Sequence, residues 1–113
     1  MDTLKYLLES QKAFEIFFID FNRLENLEYL QAQIKNYVLA LDVELAEFLS
    51  EINWKPWKKE QKELDFDKLK EELIDILHFF LILCLLLGLD ADEIKSIYDK
   101  KMLLNIKRQQ NNY

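Results

Sequence analysis

An all-α fold is predicted by three features of this chain. Its 113 residues contain a single Gly and a single Pro, so chain breakers are too rare for a fold of many short strands and turns. Apolar residues recur at steps of three and four, the spacing that lines one face of a helix. Between the long periodic segments lies one aperiodic stretch, Asn53 to Asp65, with Trp54, Pro56, Trp57 and several lysines, which reads as the main loop. A chain of this length makes one domain, 1–113, and the expected architecture is a four-to-five-helix bundle.

The elements follow in order. Leu4, Leu7, Leu8, Phe14, Phe17 and Phe18 predict an amphipathic helix from about Thr3 to Asp20. A second helix is expected from near Leu24 to near Asn53, with Ile34, Val38, Leu41, Leu45, Phe48 and Ile52 alternating steps of four and three as a bundle seam. The third runs from about Asp67 to Leu87, with Leu69, Leu73, Ile76, Phe80, Leu83 and Leu87 as its inner stripe, and Gly88 suits its C-terminal cap. Asp90 with Glu93 reads as a capping box that opens a fourth helix through Ile94, Ile97, Tyr98 and Met102. From Ile76 to Leu87 the third helix is apolar nearly all round, so it is expected to be buried on every side and to contribute to a dimer interface.

Composition narrows the function. A formal net charge of −6 opposes a nucleic-acid-coating protein, which needs a basic surface to neutralise phosphates. Local basic groups at Lys55, Lys58, Lys59 and Lys62, and again from Lys95 to Arg108, suit a small polyanion bound with a divalent cation; solvated helix ends are the alternative. Cys84 is the sole cysteine, which excludes an internal disulfide, suggests core packing and fits a reducing, cytoplasmic setting. No signal-peptide pattern appears at the N-terminus, and the apolar run Ile76 to Leu89 is shorter than the about 20 residues that span a bilayer, so no membrane role is expected.

Four acids carry the chemistry. Glu44 and Glu47 lie three apart on the second helix, and Glu72 and Asp75 three apart on the third, so each pair projects from one helix face, bordering the apolar seam. Converging carboxylates repel one another and resist desolvation, and a divalent cation relieves both costs, which points to Mg²⁺, with Mn²⁺ as an alternative. Singly, each pair reads as ordinary surface charge; together on the two longest helices, with Asp75 inside an apolar segment, they read as a metal site. Glu51, Glu63 and Glu71 read as surface charges, with Glu51 and Glu71 as candidate auxiliary ligands.

ExxE at Glu44 and Glu47, followed by ExxD at Glu72 and Asp75, resembles the metal signature of the all-α NTP pyrophosphohydrolases, which include MazG-like enzymes, dCTPases and dimeric dUTPases. The dimeric dUTPases are the nearest likeness. ELAEFLSEINWKPWK, from Glu44, resembles their Glu-rich helix and Trp-Lys loop; EELIDILHFFLILCLLLGLDADEI, from Glu71, resembles their ExxDxxHF helix and Leu-Gly-Leu turn; YDKKMLLNIKRQQNNY, from Tyr98, resembles their C-terminal pattern.

The resemblance implies Mg²⁺-dependent hydrolysis of dUTP to dUMP and pyrophosphate, in a homodimer or a dimer of dimers. By it the four acids are catalytic as well as metal-binding, with Glu47 nearest the attacking water. Lys101, Asn105, Arg108 and Tyr113 match residues that contact phosphates and sugar. Gln11 matches a glutamine that reads uracil, although an exposed helix glutamine is its plain alternative. Trp54 is expected to stack on the base or anchor the loop, Lys55 and Lys58 to approach the phosphates, and His78 to line the substrate pocket or pack in the core. Alternatives are a pyrophosphohydrolase of another nucleotide such as dCTP, and a non-enzymatic helical interaction protein.

Overall fold

The computed structural model of the chain describes residues 2–111; Tyr113, expected to bind substrate, lies outside them. Among the described residues there are four α-helices, one 3₁₀ turn and no strand: α1 (Thr3–Glu15), the turn Phe21–Arg23, α2 (Leu27–Ser50), α3 (Phe66–Leu86) and α4 (Ala91–Gln110). The expected all-α class is met. No single helix is long and apolar enough to cross a membrane.

Each helix is opened by an Asx side chain that satisfies one of the otherwise unpaired first-turn N–H groups. Asp2, Asn26, Asp65 and Asp90 accept from the backbone N–H of Lys5, Tyr29, Lys68 and Glu93 at 3.1, 3.1, 3.1 and 2.8 Å. Three expected boundaries are corrected. Asn26 starts α2 at Leu27 rather than near Leu24, and α2 ends at Ser50 rather than near Asn53. The first helix stops at Glu15, well short of Asp20, whose carboxylate instead accepts from the Asn22 N–H and caps the 3₁₀ turn. After α3, Gly88 takes φ +72°, a left-handed conformation that glycine enters without steric cost, and α4 leaves at 103° to α3.

Two apolar clusters hold the helices together. Leu8, Leu81 and Cys84 are buried where α1, α3 and the start of α4 meet, with Leu4, Leu77, Leu85 and Ile94 against them. Ile19, Ile82 and Leu86 form the second cluster between α2 and α3, roofed by Phe21 and Leu24. The α2–α3 seam has a different phase from the expected one. Along this seam the half-buried positions include Ile34, Tyr37, Leu41, Glu44 and Phe48 of α2, continued by its C-cap Glu51, and Leu69, Glu72, Ile76, Phe79 and Leu83 of α3, closing on the buried Leu86. Val38 and Leu45 of the expected α2 stripe face outward, as do Leu73, Phe80 and Leu87 of the expected α3 stripe, the last three 53%, 50% and 62% exposed. Within one chain α3 is therefore two-faced and not buried on every side, because α2 and α1 cover only part of its apolar circumference.

Candidate metal centre and nucleotide pocket

The phase of the seam decides where the acids go. Glu44 and Glu72 occupy seam positions themselves instead of bordering it, and both are half-buried. Carboxylate oxygens of Glu44, Glu72 and Asp75 lie within 4.8 Å of one another. Oε2 of Glu44 and Oε2 of Glu72 are buried without a hydrogen-bond partner, which is costly for a carboxylate unless a cation takes its place. Desolvation, followed by the charges of Glu47, Asp75 and Glu72, holds the Glu44 carboxyl above its ordinary range. Three hard oxygen donors, two with orphaned buried atoms, form a cluster that could hold a hard divalent cation. Glu47 stands outside the close group but beside Glu44, where its charge is the strongest of the three acidic influences.

Of the candidate auxiliary acids, Glu51 is engaged elsewhere. It pairs with Lys68 at 3.1 Å, one turn before Glu72. Lys68 was not singled out by its sequence position, since a lysine in the first turn of a helix carries no signal of a partner on another element.

Glu44 and Asp75 also line an open cavity of about 700 Å³, a size that suits a small-molecule ligand. Gln11, Glu15, Tyr37, His78 and Phe79 line the rest, with Phe14 and Phe18 at the mouth. Gln11 is 8% exposed, which overturns its reading as an exposed helix glutamine. Its Nε2 donates to Glu15 Oε1 at 3.0 Å, and its Oε1 faces His78 Nδ1 at 2.6 Å. Glu15 is 4% exposed and accepts from the Tyr37 hydroxyl at 3.3 Å. Burial first, and the Glu15 charge second, push the Tyr37 hydroxyl above its ordinary pKa, so it remains a donor. Glu15 and Tyr37 escaped the sequence reading, since a lone Glu and a lone Tyr at helical spacing carry no sign of their partners.

The remaining expected residues fall in two other places. Trp54, Lys55 and Lys58 line a separate cavity of about 660 Å³ in the loop after α2, closed by Asn53, whose amide pairs with both the N–H and the C=O of Lys62. Trp54 meets Trp57 edge-on at 5.8 Å and carries the Lys55 ammonium over its ring, so the loop is anchored by its own aromatics. Lys101, Asn105 and Arg108 are exposed on α4. Neither cavity is lined by an α4 residue.

A family model described as dUTPase matches residues 3–86, a span that runs from α1 to the end of α3. The chain belongs to this dUTPase family. Family membership thus rests on the three helices that carry Gln11, Glu44, Glu72, Asp75 and His78, while α4 lies beyond the match. Two relatives are both named dCTP pyrophosphatase, from Enterobacteria phage LZ5, 37% identical over 71 residues, and from Enterobacteria phage T4, 38% identical over 71 residues. Each alignment covers 53% of this chain, but only 41% and 42% of the respective relative. No solved structure matches the chain.

Proposed function

We propose that this protein hydrolyses dUTP to dUMP and pyrophosphate at a Mg²⁺ site between α2 and α3. The observation that carries the reading is a single cavity lined both by carboxylates of the three-acid cluster and by the buried Gln11 amide with its hydrogen-bonded His78 imidazole. Such a cavity offers a triphosphate and its base chemically matched partners.

Glu44, Glu72 and Asp75 hold the ion. When bound, Mg²⁺ neutralises phosphate charge and lowers the pKa of the attacking water. Glu47, outside the close group, takes the proton of that water as it attacks the α-phosphorus and the bond to the β-phosphate oxygen breaks. Gln11 and His78 face the base, and Phe14 and Phe18 exclude water from the mouth. A second reading, hydrolysis of dCTP, is favoured by the names of the two phage relatives.

The active form we infer is a homodimer. The chain exposes 9154 Å², against about 6,600 Å² for a compact monomer of this mass. Its radius of gyration is 17.8 Å, against about 13 Å for a globule of this length. The excess area is of the size that obligate dimers bury, and the outward apolar faces of α2, α3 and α4 supply it. In that assembly the basic end of α4, remote from its own chain's cavity, serves the phosphates bound by the other copy.

Pyrophosphate release from a panel of dNTPs and NTPs, with and without Mg²⁺, tests the proposal. Strong preference for dUTP, lost in Glu47→Gln and Asp75→Asn, is the expected result; preference for dCTP selects the second reading, and silence on every nucleotide overturns both.

A further inference from the structure

Glu15 has no role in the metal site, yet it is more deeply buried than any of the four acids there. We infer that Glu15, steadied by Tyr37, is a positioning residue that locks the Gln11 amide in one orientation and thereby sets which pyrimidine the cavity admits. The inference rests on the reading that Gln11 faces the base.

The lock follows from which groups can adapt. Glu15 accepts at Oε1 from Gln11 Nε2 at 3.0 Å and at Oε2 from the Tyr37 hydroxyl at 3.3 Å. An ionised carboxylate has no proton to offer. Turning the amide over would set Gln11 Oε1 against Glu15 Oε1, two acceptors face to face in a site only 4% exposed, and would strip that oxygen of its donor. At the other end His78 Nδ1 sits 2.6 Å from Gln11 Oε1, but an imidazole can move its proton between nitrogens to suit either amide orientation. Glu15 therefore dictates and His78 follows, donating from Nδ1.

The locked amide keeps a second proton on Nε2 and a second lone pair on Oε1. Uracil presents N3–H beside the O4 acceptor, whereas cytosine presents the N3 acceptor beside the N4 amine, so the two bases offer donor and acceptor in opposite order. For a base held at one place by its triphosphate, a fixed amide matches one order and opposes the other; an amide free to turn matches both.

The test compares the native protein with Glu15→Gln and Tyr37→Phe. Glutamine at position 15 can donate as well as accept, so it permits either Gln11 orientation at nearly constant volume. Two ratios are read, kcat/KM for dUTP over dCTP, and Kd from calorimetry for the α,β-imido analogues of the same nucleotides. Neither ratio depends on the fraction of folded protein, so a merely structural role leaves both unchanged. Glu15→Gln is expected to move both toward unity by about ten-fold, the weight of one mismatched buried hydrogen bond. Tyr37→Phe, which loosens the carboxylate without replacing it, moves them the same way by a smaller factor and decides the matter should Glu15→Gln fail to fold. Ratios that stay within about two-fold of native in the folded variants overturn the inference while the proposed reaction stands. Equal native use of both nucleotides also overturns it, and a native protein that binds and cleaves neither removes the proposed reaction and the inference together.

Discussion

The proposed metal site makes a prediction about stability that needs no substrate. Glu72 Oε2 is buried without a partner, and the cluster's carboxylate oxygens lie within 4.8 Å of one another, so the metal-free protein folds against a desolvation and repulsion cost that a bound ion removes. With Mg²⁺ at about a hundred times its Kd, binding to the folded state alone contributes about 2.7 kcal/mol. A chain of 113 residues unfolds with an entropy of about 240 cal/mol/K at about 2.1 cal/mol/K per residue. The melting temperature should then rise by about 11 °C. Glu72→Gln supplies a neutral and weaker ligand and removes one of the repelling charges, so it should melt above the native protein without Mg²⁺ and gain less than about half as much with it. Differential scanning calorimetry of both proteins across a Mg²⁺ series gives all four values. Equal gains in native and variant, or a variant that melts lower than native in the absence of metal, would refute the reasoning, because either shows that Glu72 is satisfied by the protein and not by an ion.

Three further outcomes are expected. Folding raises the Glu44 pKa above its ordinary 4.5, through desolvation first and neighbouring acids second; the group thus favours the folded state below that pH and loses the advantage as pH rises through the raised value. Metal-free native protein should accordingly lose more stability than Glu44→Gln between about pH 4.5 and neutrality, as chemical denaturation at several pH values will report. Leu81→Ala empties a site only 2% exposed between α1 and α3, and should cost about 2–5 kcal/mol, or about 8–20 °C of melting temperature by calorimetry. Phe80→Glu puts a charge on the outward face of α3, where Phe80 is 50% exposed; light scattering should give twice the 13.7 kDa chain mass for the native protein and the single mass for the variant.

Much of the fold was legible because helices betray themselves by period and punctuation. Gly88 and the Asp90 cap fell where expected, and the loop around Pro56 separates α2 from α3. The phase of α3 was not legible, since a helix that is apolar all round satisfies the helical period with any stripe; only packing on α2 chose Leu69, Ile76 and Leu83 over Leu73, Phe80 and Leu87. The start of α2 is marked by Asn26, a residue type suited to an N-cap, and not by the apolar Leu24. Three of the four acids came together because two i, i+3 pairs on facing helices have few ways to miss. His78 and Gln11, 67 positions apart, could be linked only by the folded chain, and Glu15 had no signal because surface helices carry such glutamates everywhere.

Glu44 and Glu72 sit where a helical bundle would otherwise place leucine. Two helices zipped by leucines alone can slide by a heptad and repack almost as well, because every layer resembles the next. A polar layer ends that freedom, since one alignment alone brings these carboxylates face to face around a shared point. The acids thus index α2 against α3, and an ion bound between them would report, by binding at all, that the helices have met in register.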